Sequence, residues 1–168
     1  MPPSESPHIT LMPMDVEDLR RLTTSAVAEV RKRIPHGALP PPHVVARALS
    51  QFDAGTPALW CMPYLMVATG RRAIVGGCGF KGPPIDGRVE IGYSVESSER
   101  RRGAATAAVA QLLTLAAGTG VVHQVVAHVA PDNTASSNTV ARLGFLKGDA
   151  IVDADGECVV RWVYRVTV

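Results

Sequence analysis

Two adjoining runs decide the fold: Gly87-Arg88-Val89-Glu90-Ile91-Gly92-Tyr93-Ser94-Val95 and, four residues on, Arg100-Arg101-Arg102-Gly103-Ala104-Ala105-Thr106. The first reads as a strand over Val89–Val95, and the second opens a helix rich in small residues near Gly103. The turn between them carries three cations and almost no side-chain bulk. Orphan N–H groups at a helix start, with roughly half a positive charge from the dipole, make an anion site. Gly and Ala let an anion's oxygens reach the main chain, and neighbouring guanidiniums pair with phosphate. Taken alone, three adjacent arginines fit a solvated turn. Between this strand and this helix, a phosphate or pyrophosphate cradle is the better reading.

Outward from that turn, the chain falls into alternating elements. A short strand is expected over His8–Met12, then a helix capped by Asp15 with Val16, Leu19, Leu22, Ala26 and Val30 at helical spacing. Pro35 and Gly37 stop it, and Pro40-Pro41-Pro42 leads into a second helix with a Val45, Ala48, Leu49, Phe52 stripe. Leu59–Thr69 reads as a strand interrupted by Pro63, hence bulged or at an edge. Strands at 73–80 and 88–95 follow, separated by Gly82-Pro83-Pro84 and Asp86-Gly87. The helix 104–117 is apolar nearly all round, so deep burial is expected. A buried strand over 121–129, a helix from Pro131-Asp132-Asn133 to Leu143, and two strands flanking the 153–156 turn complete the chain. The order is β-α-α-β-β-β-α-β-α-β-β, a mixed α/β domain. The helix between 88–95 and 121–129 implies a right-handed parallel crossover, with antiparallel hairpins on either side. Residues 1–7 read as a flexible leader and 8–168 as one domain.

Composition narrows the partners. The 168 residues are 46% hydrophobic, 19% charged and only 5% aromatic, with a net charge of +2. That suits a globular chain with few base-stacking surfaces, so no nucleic acid is expected. Cys61, Cys78 and Cys158 are odd in number and widely spaced, which argues for three buried thiols rather than disulfides or zinc. His123 and His128, five apart on one strand, face opposite ways and cannot share a metal. With no signal-like start and no bilayer-length apolar run, a cytoplasmic, membrane-free protein is expected.

Phosphate loops of two familiar kinds are excluded. Gly-x-x-x-x-Gly-Lys-Ser/Thr is missing, and so is Gly-x-Gly-x-x-Gly. Arg100-x-x-Gly103-x-Ala105 after Glu90-Ile91-Gly92-Tyr93 instead resembles the acetyl-coenzyme A pyrophosphate loop of the Gcn5-related N-acetyltransferases. Asn133-x-x-Ser136 with Leu143-Gly144-Phe145 resembles that superfamily's second coenzyme A motif. The wording of 87–93 and 103–106 is most similar to the branch that includes the ribosomal-protein alanine N-acetyltransferases.

The resemblance implies a mostly antiparallel sheet with one parallel strand pair splayed apart, and acetyl-CoA as co-substrate without metal. Pantetheine would pair with main chain near Tyr93 and Val95. The pyrophosphate would lie over Arg100, Arg101, Arg102, Gly103, Ala104, Ala105 and Thr106, and Asn133 and Ser136 would contact the cofactor from the last helix. Glu90 would deprotonate the acceptor amine. Strand alternation agrees, because Val89, Ile91, Tyr93 and Val95 take the core face and leave Glu90, Gly92 and Ser94 to a cleft. Many members carry a tyrosine seven residues after the motif asparagine to protonate the leaving thiolate. Here that position is Val140. A thiol of pKa about 8.5 leaves readily without it.

The implied reaction is acetyl transfer to a primary amine, either a small amine or a protein N-terminus, by direct attack on the thioester. Two other readings stay open: a coenzyme A-binding sensor or interaction module that has lost catalysis, and a nucleotide- or nucleic-acid-binding domain using the arginines. The last two strands are also able to pair across a homodimer.

Overall fold

The computed structural model describes residues 8–167, so the proposed leader at 1–7 lies outside the described residues. The chain folds as mixed α/β around one seven-stranded sheet in the order β1-β2-β3-β4-β5-β7-β6. Its strands are β1 Ile9–Pro13, β2 Tyr64–Ala68, β3 Ala73–Phe80, β4 Arg88–Val95, β5 Gln124–Val129, β6 Leu146–Val152 and β7 Cys158–Arg165. Every neighbouring pair is antiparallel except β4 and β5. That parallel ladder registers Arg88 with Gln124 through Ile91 with Ala127 and goes no further. Past Ile91, β4 keeps its β3 partner but has lost β5, so a wedge opens beside Gly92–Val95.

Helices cover the two faces of the sheet unequally. Helix α5, Ala104–Gly118, packs across β1, β3 and β4, and α6, Thr134–Arg142, packs against α5 and β5. Beneath them lies the larger core, with Met66, Ile91, Leu112, Val125 and Val140 almost wholly buried. Truncating any one of the larger of these side chains to Ala should cost about 2–5 kcal/mol. Gln111 of α5 donates to the Ile9 carbonyl at 2.5 Å and ties the helix to the edge strand. Burial of α5 is one-sided, since Ala108, Val109, Leu112 and Ala116 point inward while Thr114, Leu115 and Ala117 are exposed.

The opposite face carries α1 Val16–Arg21, α2 Val27–Arg31, α3 Pro42–Asp53 and α4 Ala58–Cys61. Leu19, Val30, Val45, Ala48 and Leu65 form a second core there. This layer sits over the β1–β3 side of the sheet. Over the start of β4, and over β5 and β7, the same face is left uncovered, and this gap makes the cleft.

Three expectations are corrected by local chemistry. The helix predicted from Asp15 to Ile34 is two helices, because Thr23 and Thr24 turn their hydroxyls onto the Arg20 and Arg21 carbonyls and Thr24 Oγ1 also accepts from Ala26 N–H. The strand predicted over 59–69 begins only at Tyr64. Residues 58–61 make a helical turn, and Pro63 precedes an interior strand whose outer neighbour is β1. Cys158 is exposed, unlike Cys61 and Cys78.

Candidate active site

Main-chain geometry sets the loop that follows β4. Arg101 has φ 64° and Gly103 φ 80°, so the chain turns through two left-handed residues to start α5. Glycine adopts that conformation freely, whereas a branched residue there is strained. No side chain caps α5, and its first internal bond runs from Ala107 N–H to the Gly103 carbonyl. The N–H groups of Ala104, Ala105 and Thr106 therefore head the helix without an intrahelical partner.

The three arginines differ in use. Arg100 Nε donates to the Val95 carbonyl at 3.3 Å, and Arg102 lies 3.6 Å from Glu99. Glu99 in turn holds Arg71 at 2.6 Å, and the Arg71 hydrogen bonds keep its carboxyl below the usual carboxylate range. Among the described residues Arg101 has no such partner.

Across the wedge, the Tyr93 hydroxyl and Ser136 Oγ lie 2.5 Å apart, joining β4 to α6. Burial pushes the Tyr93 phenol up, so it stays protonated at neutral pH. Asn133 caps α6 by accepting from Ser136 N–H at 3.1 Å, which leaves its amide NH₂ to donate elsewhere. Val140 is wholly buried in the core and offers no acid. Tyr93, Val95, Asn133 and Ser136 thus come together around the opening, with the 100–106 turn at its end.

Glu90 occupies the uncovered face, as strand alternation predicts. Its Oε1 accepts from Lys81 Nζ at 2.5 Å and His128 Nδ1 at 2.9 Å, while Oε2 has no partner among the described residues. Arg161 Nε approaches His128 Nε2 at 3.5 Å. A guanidinium only donates, so Nε2 is the acceptor and the ring's hydrogen sits on Nδ1, pointing at Glu90. These groups line an open cleft of about 460 Å³ that continues past Gln51 and Arg88.

Lys81, His128 and Arg161 were not legible as partners of Glu90. The signal is register: Lys81 N–H pairs with the Glu90 carbonyl, Ile91 stands opposite Ala127, and His128 opposite Arg161. Among the described residues no cluster of His, Cys, Asp and Glu could hold a metal. His123, expected on the same strand as His128, lies just before β5, which begins at Gln124.

A second space of about 200 Å³ lies on the same face under α3. Its floor is Gly77, Gly79 and Gly92, and its walls include Met14, Leu39, Val44 and Tyr64. Gly77 is obligatory there, since a Cβ would meet the Ala38 carbonyl oxygen at 2.8 Å. Lys81 lines both spaces and separates them. Cys78 also lines the smaller one, but burial pushes its thiol up to about 12, and burial raises Cys61 as well. Neither is a thiolate nucleophile at neutral pH.

Comparison with known proteins meets this geometry. The acetyltransferase (GNAT) domain pattern matches residues 8–146. The uncharacterized N-acetyltransferase YjdG of Bacillus subtilis is 34% identical over 84 residues, 49% of this chain and 50% of YjdG. The match thus spans about half the length of that curated relative. The ribosomal-protein-S5-alanine acetyltransferase of Vibrio fischeri superposes with a TM-score of 0.67 at 14% identity, covering 95% of this chain and 93% of its own. RimL, a ribosomal L7/L12 alpha-N-protein acetyltransferase in complex with coenzyme A, also gives 0.67, at 19% identity over 98% and 97%. Those two likenesses speak to the fold. With the domain pattern spanning most of its length, the chain belongs to the GNAT acetyltransferase family.

Proposed function

We propose that the protein is an acetyl-CoA-dependent N-acetyltransferase that moves an acetyl group to a primary amine. The observation that carries this reading is the pairing of an open β4/β5 wedge with an uncapped, left-handed turn at the head of α5. Family membership supplies acetyl-CoA as the co-substrate such a site takes, and RimL is a relative in fold whose structure is a complex with coenzyme A. The pyrophosphate would take the N–H groups of 104–106 with Arg101. Pantetheine would run along Tyr93–Val95, with the Asn133 amide and Ser136 alongside.

In the reaction the amine nitrogen attacks the thioester carbonyl carbon. The C–N bond forms, the C–S bond breaks, and coenzyme A leaves as thiolate. Glu90 Oε2 accepts the amine proton, with His128 and Lys81 fixing the other oxygen. Backbone N–H near Val95 stabilises the oxyanion. The protonated Cys78 and Cys61 favour this direct route over an acetyl-thiol intermediate.

A ligand melting series tests the cofactor. At a hundred times its Kd, acetyl-CoA should stabilise the fold by about 2.7 kcal/mol, and forms lacking the pyrophosphate should do less. A shift with ATP and none with acetyl-CoA would replace this reading with a nucleotide site.

A further inference from the structure

We infer that the acceptor is a small primary amine with an apolar body and one carboxylate, the size of a single apolar amino acid. This rests on the acetyltransferase reading above and names the substrate class of the same site. The smaller space measures about 200 Å³, below the range of about 300–1,000 Å³ that pockets for drug-sized ligands occupy. It admits a compact body and not a polycyclic or multiply substituted one.

Apart from Ser94 and the thiols of Cys61 and Cys78, its lining is aliphatic and aromatic with two cations, Arg47 and Lys81, and no carboxylate lines it. Lys81 is neutralised by Glu90. Arg47, half-buried on α3, has no hydrogen-bonded or ionic side-chain partner among the described residues. The space therefore carries one uncompensated positive charge, on the side chain whose planar fork matches a carboxylate. A carboxylate there gains a charge-assisted pair. An ammonium in the same place would meet a like charge among apolar walls, which disfavours polyamines and amino sugars.

The floor joins this space to the reacting groups. Gly92, the first β4 residue past the β5 ladder, is so close to Lys81 that a Cβ would sit 3.4 Å from Lys81 Cε. Lys81 thus lies across the floor with its ammonium on Glu90. An acceptor seated under α3 has its amine directed past Lys81 toward the free Oε2 of Glu90.

The test is a kcat/KM panel read by thiol release with acetyl-CoA. It compares an apolar α-amino acid and an ω-aminocarboxylate with their amides, a polyamine, an aminoglycoside and a capped-end peptide with a free N-terminus. Carboxylate-bearing small amines should exceed their amides at least tenfold. Arg47→Gln should collapse that ratio toward one, and Arg47→Lys should restore part of it. Comparing this ratio between wild type and each variant cancels any difference in intrinsic amine reactivity. A melting temperature near wild type in each variant keeps folding out of the comparison.

Faster transfer to the polyamine, aminoglycoside or peptide would overturn this inference and leave the acetyltransferase reading standing. So would a ratio that ignores Arg47. If no amine releases thiol although acetyl-CoA raises the melting temperature, both the acceptor class and catalysis are wrong, and the chain is a binding module.

Discussion

The arm from β4 into α5 and the cap made by α1–α4 carry their helices on opposite faces of the sheet, and they are built on different principles. In the arm, main chain makes the site: a strand left unpaired on one side, two left-handed residues, and a helix start without a cap. In the cap, side chains make it, with apolar walls from Leu39 and Val44 over Tyr64 of β2 and ion pairs binding the helices together. Backbone chemistry tolerates few residue types at a given place. Apolar lining tolerates many. The arm should therefore fix the cofactor and the cap the acceptor, and substitutions should separate the two.

Glu90→Gln has the largest expected effect. It keeps the shape of the cleft and deletes the base, so turnover should fall roughly 10²–10⁴-fold while acetyl-CoA affinity barely moves. Activity should recover in part at higher pH, where more of the amine is already neutral. A stopped assay across pH reads this, and full activity throughout would reduce Glu90 to a rim charge.

Gly103→Val attacks the arm itself. A β-branched residue at φ 80° is strained by about 1–3 kcal/mol and crowds the approach of an anion. Calorimetry should show acetyl-CoA binding weakened at least tenfold. Normal binding would mean that the cradle is not main chain.

Asp18→Asn probes the cap without touching the arm. Arg33 holds the Asp18 carboxyl below its usual range with bonds of 2.6 and 3.0 Å, and Arg21 adds a third at 2.8 Å. A folded-state pKa below the unfolded one gives stability that is fully present above about pH 4 and is lost as pH falls through the folded value. Asn in its place should cost about 2 kcal/mol at neutral pH and flatten the acid limb of a stability–pH curve. The melting shift given by acetyl-CoA should keep its size. A shrunken shift would show that cap and arm are coupled.

The smallest effect belongs to Arg101→Ala. It removes one exposed charge beside a site made of backbone and should weaken acetyl-CoA only a few-fold, with the loss fading at high salt. A loss larger than that of Gly103→Val would invert the account of the loop.

The same contrast explains what was legible in the sequence. β3, β4 and α5 could be read within a residue or two, because Gly and Pro punctuate them and their apolar periods are regular. The loop was readable because its geometry demands Gly103 and small neighbours. The break between α1 and α2 was not, since threonine hydroxyls fold back on the helix only once its carbonyls are in place. Nor were Lys81, His128 and Arg161 around Glu90, whose meeting depends on a strand register that alternation alone leaves free. Arg47 and the glycine floor belong to the same class of feature, a surface assembled from five separate segments.

Direct transfer on the Glu90 face is the central claim, and a pre-steady-state thiol trace tests it most directly. Enzyme mixed with acetyl-CoA alone should release no burst of coenzyme A thiol. Adding an accepted amine should release thiol and acetylated amine in equal amounts from the first turnover. A burst equal to the enzyme concentration before any amine is added would contradict the account, because it would place the acetyl group on the protein first.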